Sequence, residues 1–137
     1  MSTKIHNKLL SIHMTKRKYS IYDALETIRK RPGMYVGDID LNAINTYLSG
    51  YWMAMNDADF DDVSNPEFSK FHEFVRARFN YVESTAGWAN MIKAVVIGLD
   101  SENIYWENYD KDMTFEQQNE ALALFYKLID EFKAGNA

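Results

Sequence analysis

The stretch that decides the fold class is Thr114-Phe-Glu-Gln-Gln-Asn-Glu-Ala-Leu-Ala-Leu-Phe-Tyr-Lys-Leu-Ile-Asp-Glu-Phe132. Thr114 followed by Gln117 is a capping box, in which each side chain accepts a hydrogen bond from the other residue's backbone amide. Apolar residues then recur at the spacing of one helical face, which predicts a long amphipathic helix. The predicted apolar face consists of Phe115, Leu122, Phe125, Leu128, Ile129 and Phe132.

The same reasoning, carried toward the N-terminus, predicts two helices before residue 60. Ser20 is a suitable N-cap for the first of them, which we expect to end at Pro32-Gly33 because the residue before a proline avoids the helical region. Asp40 is a suitable N-cap for the second helix. The predicted apolar stripe of this second helix consists of Leu41, Ile44, Tyr47, Leu48, Tyr51, Trp52 and Met55.

Two further helices are predicted between these and the last one. Asn65-Pro66 opens the third helix, with proline at the first helical position. Ser84 or Thr85 caps the fourth helix, which stops at Gly98. Their predicted apolar residues are Phe68, Phe71, Phe74, Val75 and Phe79 in the third, and Trp88, Met91, Ile92, Val95 and Val96 in the fourth.

Five amphipathic helices without alternating strand patterns predict an all-α protein. At 137 residues with 47% hydrophobic side chains, the chain can build one core, so we expect a single compact domain arranged as an orthogonal or irregular bundle. The predicted divisions are a partly ordered basic arm over residues 1–19, a helical domain over residues 20–133 and a short tail over residues 134–137.

Charge is distributed unevenly along the chain. Of the 15 basic and 20 acidic residues, eight basic and two acidic ones fall within residues 1–36, which leaves seven basic and 18 acidic ones for residues 37–137. An acidic body repels nucleic acid, and its field accelerates the approach of a basic protein. The distribution is therefore typical either of a solubilising surface or of a surface that meets a basic partner.

The densest acidic segment is Asp57-Ala-Asp-Phe-Asp-Asp62. Its carboxylates have the first spacings of a calcium loop, but the glycine required at the sixth position is replaced by Asp62 and the glutamate required at the twelfth by Phe68. We therefore interpret the segment as a solvated loop or as an acidic surface for a cationic partner. The predicted partner-binding residues are Asp57, Asp59, Asp61 and Asp62.

A second candidate surface combines aromatic and acidic residues between the fourth and fifth helices. Aromatic side chains surrounded by acids are effective interface anchors when they are exposed, although Trp106 and Tyr109 are equally suited to a core. The predicted partner-binding residues here are Tyr105, Trp106, Glu107, Tyr109 and Asp110.

The sequence contains no pattern typical of an enzyme. Cysteine is absent, no serine stands in a nucleophile elbow, and the three histidines lack a spacing that would bring metal ligands together. No apolar stretch reaches the length of a membrane span, and no secretory h-region is present. We therefore predict a cytoplasmic, non-enzymatic protein that requires neither cofactor nor metal.

The segment Asp23-Ala-Leu-Glu-Thr-Ile-Arg-Lys-Arg-Pro-Gly-Met-Tyr-Val-Gly-Asp38 resembles the opening of the ATPase domain of gyrase B subunits. In those ATPases a following helix supplies a glutamate base and, four residues later, an asparagine, and an Asp-x-Gly-x-Gly nucleotide loop comes after. Here Trp52 stands four residues before Asn56, and no Asp-x-Gly-x-Gly occurs. The resemblance implies shared local structure and not ATPase activity.

Most of residues 20–133 is similar to a set of small bacterial proteins associated with immunity or antitoxin roles. The shared features are the Arg31–Gly37 motif, the helix from Leu41 to Tyr51, the Ser84–Ile92 element and the Leu124–Phe132 helix. We expect an architectural role for the motif residues Arg31, Pro32, Gly33, Met34, Tyr35 and Gly37, and for Trp88.

These observations lead to one leading hypothesis and two alternatives. The leading hypothesis is an immunity or antitoxin-type protein that binds a cognate protein toxin or effector and neutralises it by occlusion. The first alternative is a regulator of DNA gyrase or a DNA mimic. The second is an enzyme or small-ligand protein whose site is assembled from scattered residues.

Overall fold

The computed structural model describes residues 17–31, 40–82 and 85–135. Within these ranges the chain forms five α-helices, one 3₁₀ helix and two short strands, so the predicted all-α class is confirmed. In chain order the elements are β1 (Arg17–Tyr19), α1 (Ile21–Lys30), α2 (Leu41–Asp57), β2 (Phe60–Asp62), the 3₁₀ helix (Phe68–Lys70), α3 (Phe71–Arg78), α4 (Trp88–Ile97) and α5 (Phe115–Ala134).

Most helix ends are those that the capping residues predict. The Ser20 side chain accepts a hydrogen bond from the Tyr22 amide at the start of α1, and the Asp40 side chain accepts one from the Asn42 amide at the start of α2. Both hydrogen bonds of the predicted capping box are present at Thr114. Gly98 ends α4 in the left-handed conformation, which glycine adopts without steric cost.

The predicted starts of the third and fourth helices are wrong. Asn65 and Pro66, joined by a cis peptide bond, lie in a turn, and the carbonyl of Pro66 accepts the Tyr22 hydroxyl instead of a helical amide. The α-helical conformation begins only at Phe71, after the 3₁₀ turn.

At α4 the N-cap is Gly87, with φ 93° and ψ 161°, and not Thr85, while Ser84 lies outside the described residues. Only glycine tolerates this conformation, so the helix begins at Trp88.

A strand pair occupies residues that the sequence pattern assigns to an arm and a loop. β1 and β2 pair in parallel, with Arg17, Lys18 and Tyr19 opposite Phe60, Asp61 and Asp62. Three-residue strands are too short for an alternating pattern to be visible in the sequence, and the expectation that the segment Asp57–Asp62 is a loop is wrong for this reason. Residues 17–19, assigned to the basic arm, belong to the packed structure, because Tyr19 is buried.

An aromatic cluster forms the centre of the core. The ring of Phe71 packs edge-on against Trp88, Phe125 and Phe132, and the rings of Trp88 and Phe125 stack 4.8 Å apart. Helix α4 packs against α2, α3 and α5, so these three helices are arranged around it, and α1 packs against α2.

Two residues assigned to apolar helix faces are exposed. Phe115 is 74% exposed because it lies in the first turn of α5, outside the buried part of that helix. Trp52 is 49% exposed, although Leu41, Ile44 and Leu48 of the same stripe are buried. Of the Arg31–Gly37 motif the structure describes only Arg31, which follows α1. The positions Pro32, Gly33, Met34, Tyr35 and Gly37 lie outside the described residues.

Among the described residues, none of the helices combines the length and the apolar character needed to cross a membrane.

Candidate functional site

The two predicted partner-binding groups lie at opposite ends of α2. The acidic segment begins at Asp57, the last residue of the helix. Asp110 lies at the N-terminal end of the helix, because Lys93 forms ion pairs with both Asp110 and the N-cap residue Asp40. A helix of 17 residues is about 25 Å long. The two groups therefore do not form one continuous contact patch.

The N-terminal end of α2 is an internal polar centre built on Lys93. This side chain is 0% exposed, and its Nζ donates to Asp40 Oδ1 at 2.9 Å and to Asp110 Oδ2 at 2.6 Å. Burying an ammonium group costs free energy unless the group is paired, so the carboxylates of Asp40 and Asp110 are both needed to stabilise the buried Lys93. Asp110 therefore anchors the segment between α4 and α5 to the start of α2.

Tyr109 extends this polar centre. Its hydroxyl donates to Asn90 Oδ1 at 2.6 Å, and the same oxygen accepts from Asn42 Nδ2 at 3.1 Å. Burial raises the pKa of Tyr109, and the nearby carboxylates of Asp110 and Asp40 raise it further. The network joins α2, α4 and the segment that follows α4, which gives Tyr109 and Asp110 roles inside the protein.

The exposed aromatic residue of that segment is Tyr105. It is 76% exposed, and its hydroxyl donates to Glu107 Oε2 at 2.6 Å, which raises the pKa of Tyr105. Trp106 is partly buried, with its ring 6.4 Å from that of Tyr81 and 5.2 Å from that of Tyr109. Of the five residues predicted here, Tyr105 and Glu107 remain available for an external contact.

Along the middle turns of α2 a surface pocket of about 640 Å³ opens, and Asp62 of the acidic segment contributes to its lining. One helical face of α2 forms its first wall, because the residues involved follow the spacing of successive turns. Trp52 and Met53, 49% and 58% exposed, form the outer part of this wall. The α2 residues that line the pocket are Asn45, Leu48, Ser49, Trp52 and Met53.

The opposite wall comes from three other elements. Ile21 contributes from the start of α1, Asp62 from the end of β2, and Glu67 and Phe68 from the entry to the 3₁₀ helix. The accessible surface of the pocket is mostly apolar, and Asp62 and Glu67 are its charged residues. It is an apolar depression with carboxylates on one side.

Ser64 holds Asp62 in place. The buried Ser64 hydroxyl accepts from the Ile21 amide at 2.8 Å, and both the Ser64 amide and hydroxyl donate to Asp62 Oδ1. The fixed Asp62 carboxylate also affects its surroundings: burial raises the pKa of Tyr22 to about 12, and Asp62 contributes to this increase. The negative charge of Asp62 is thus held in a fixed position on the wall of the pocket.

The basic residues of β1 lie beside the acidic strand but outside the pocket. Lys18 stands opposite Asp61 in the parallel register, and the Arg17 guanidinium lies 5.8 Å from the centre of the Phe60 ring. These contacts offset part of the negative charge along β2. No basic residue lines the pocket itself within the described ranges, so the charge of Asp62 and Glu67 is not neutralised there.

Sequence reasoning missed five residues that define these two regions. Lys93 is the one charged residue in the ten of α4, and an isolated charge in an apolar helix is a signal of a buried ion pair. Asn45 and Ser49 interrupt the apolar stripe next to Trp52, which signals a face that does not enter the core. Glu67 and Ser64 gave no such signal, because their positions depend on the turn around Pro66.

The described residues contain no group of three histidine or acidic side chains that could hold a metal ion. The carboxylates with calcium-like spacing are divided between different elements: Asp57 ends α2, Asp59 adopts a left-handed conformation at φ 68°, and Asp61 lies in β2. The chain therefore does not wrap around a common centre at this segment.

Comparison with known proteins finds one short resemblance. A 43-residue part of the chain is 40% identical to the B subunit of DNA topoisomerase 4 from Rickettsia typhi and, at the same identity, to that from Rickettsia prowazekii. The match covers 31% of this chain and 6% of each topoisomerase protein. No family model matches the chain, and no solved structure matches it. The presence of a gyrase B-like segment is thus confirmed.

Proposed function

We propose that this protein is a non-enzymatic binding protein of the immunity or antitoxin type, which neutralises a basic protein toxin by covering part of its surface. The observation that carries the proposal is the pocket along the middle turns of α2. There, exposed Trp52 and Met53 lie beside the carboxylates of Asp62 and Glu67, and the described residues place no basic side chain in the lining.

This combination suits protein recognition. Apolar and aromatic side chains that lose water on binding supply most of the affinity of an interface, whereas surrounding charges select the partner and accelerate association. Residues 37–137 carry 18 acidic and seven basic residues, so the whole body attracts a basic partner toward this surface.

The test is growth rescue by co-expression. The product of the neighbouring reading frame in the native genome is expressed with and without this protein, and we expect the neighbour alone to arrest growth and this protein to relieve the arrest. A variant with Asp59→Lys, Asp61→Lys and Asp62→Lys is expected to protect less well, and binding measured in vitro should lose part of its salt dependence.

A charge-matched control distinguishes the effect of the charges at residues 59, 61 and 62 from the effect of the net charge of the protein. Glu102, Asp112 and Glu120 are exposed and lie outside the pocket, and their replacement by lysine changes the net charge by the same amount. We expect this control to lose much less protection than the triple variant at 59, 61 and 62. A neighbour that is harmless when expressed alone would refute the toxin-neutralising role.

A second candidate function, regulation of a type II topoisomerase, is supported by the 43-residue match to the B subunit of DNA topoisomerase 4. A decatenation and supercoiling assay with increasing amounts of this protein tests it. Inhibition at stoichiometric amounts would favour this function, and unchanged activity would favour the immunity-type role.

A further inference from the structure

We propose that the pocket along the middle turns of α2 receives an arginine side chain of the basic partner. The guanidinium reaches the carboxylates of Asp62 and Glu67, and the aliphatic stem lies across Trp52 and Met53. This inference rests on the proposed function, because it names the group through which that function would recognise its partner.

The charges of the pocket select a cation. Ser64 fixes one oxygen of Asp62 on the wall through its amide and hydroxyl. Glu67 makes no ion pair within the described part of the chain, and the described lining contains no basic residue. Binding a cation here therefore neutralises existing charge without breaking an internal ion pair.

The aromatic and amide groups favour arginine over lysine. Trp52 is half exposed, and a guanidinium stacks on an indole face while keeping its in-plane N–H groups free for carboxylates. Asn45, Ser49 and Ser69 offer further oxygen acceptors in the same pocket. A lysine ammonium is more strongly hydrated, and it cannot pair with a carboxylate through two parallel hydrogen bonds.

The size of the pocket indicates more than one side chain. Its volume of about 640 Å³ is within the range of about 300–1,000 Å³ that holds ligands larger than a single residue. Met53, Leu48 and Phe68 provide apolar surface beside the carboxylates. The expected occupant is an arginine together with an adjacent apolar side chain from the same partner segment.

The probe that tests this inference is hexylguanidinium, which carries the charged group and an apolar chain without any protein partner. It is titrated into the full-length ¹⁵N-labelled protein, with hexylammonium and hexanol as comparisons, and chemical-shift changes are followed by NMR. We expect the guanidinium to bind about threefold more tightly than the ammonium and about tenfold more tightly than the alcohol. The shifts should centre on the Trp52 indole N–H.

Two variants and one control locate the binding. Glu67→Gln removes a carboxylate and Trp52→Leu removes the aromatic face, and each should weaken hexylguanidinium binding at least about threefold. Glu116→Gln, at an exposed position outside the pocket, should leave binding unchanged. Equal binding of hexanol and hexylguanidinium, or shifts that remain unaltered in both pocket variants, would overturn the inference.

The same variants distinguish this inference from the proposed function. If the wild-type protein relieves toxicity and Glu67→Gln with Trp52→Leu relieves it equally well, the arginine pocket is refuted and the toxin-neutralising role stands. If the wild-type protein relieves no toxicity, that role is refuted, and the NMR titration still decides whether the pocket selects guanidinium.

Discussion

Two regions along helix α2 carry acidic residues, but the structure uses them in opposite ways. At the N-terminal end of the helix, Asp40 and Asp110 surround the buried Lys93 and help to hold the fold together. Along the middle turns of the helix, Asp62 and Glu67 line a pocket whose described residues include no cation. The difference shows that a carboxylate becomes structural when the chain itself supplies a buried cation, and remains available for a partner when it does not.

The largest effect on stability should follow from removing the buried cation at the N-terminal end of α2. Lys93→Met leaves Asp40 and Asp110 facing each other without the ammonium group between them, and we expect a loss of about 3–5 kcal/mol in the free energy of unfolding, measured by urea denaturation. Lys127→Met, at an exposed position of α5, is the control and should change stability by less than about 0.5 kcal/mol. Equal losses in the two variants would contradict the structural role of Lys93.

A smaller loss of stability is expected from Ser64→Ala, because Ser64 bonds the pocket residue Asp62. This substitution leaves the Ile21 amide without its 2.8 Å acceptor and removes one hydrogen bond to Asp62. An unsatisfied buried amide costs about 1–3 kcal/mol, which urea denaturation can measure. Ser64→Thr retains the hydroxyl and serves as the comparison. A stability of Ser64→Ala equal to that of the wild-type protein would show that the Ser64 hydroxyl does not stabilise the fold.

The pH dependence of stability should show the burial of Tyr22 in α1. Tyrosine has an ordinary pKa of 10.0, and burial raises that of Tyr22 to about 12. The unfolded state therefore loses its proton first as the pH rises, and stability present below pH 10 is lost between about pH 10 and 12.

The comparison of wild-type protein with Tyr22→Phe measures this contribution. Between pH 9 and 11 the wild-type protein should lose about 1 kcal/mol more unfolding free energy than the variant. Parallel losses in the two proteins would mean that Tyr22 titrates alike in the folded and unfolded states.

The smallest effect on stability is expected at Asp61. This exposed residue makes no ion pair within the described part of the chain, and Asp61→Asn should change the free energy of unfolding by less than about 0.5 kcal/mol. A loss as large as that of Lys93→Met would remove the distinction between the two acidic regions along α2.

The helices could be predicted from the sequence because their signals are local. Thr114 with Gln117, Asp40 and Gly98 mark helix ends through residues a few positions away, and apolar periodicity identifies the buried faces. The pocket could not be predicted in this way. It needs β1 beside β2 and the turn at Pro66 beside α1, and these are contacts between distant parts of the chain.

The predicted site residues show the same limit of sequence-based prediction, because their roles depend on contacts between distant parts of the chain. The sequence pattern singled out Asp62 and Tyr105, which the structure places at the pocket and on the surface. It also singled out Tyr109 and Asp110, whose role depends on Lys93, a residue 17 positions away from Asp110. Asp62 and Asp110 lie in similar local sequence contexts but have different roles, because Asp110 pairs with Lys93 from a distant position in the chain.

The parallel strand pair has a consequence for the order of folding. Contacts such as the hydrogen bond between the Ile21 amide and Ser64 join residues 43 positions apart, and the intervening chain must be closed into a loop before they can form. The hydrogen bonds within the helices join residues four positions apart and need no such closure. We therefore expect the region around β1, β2 and Ser64 to be the last to assemble and the first whose amides exchange with deuterium, while the aromatic cluster around Phe71 stays protected.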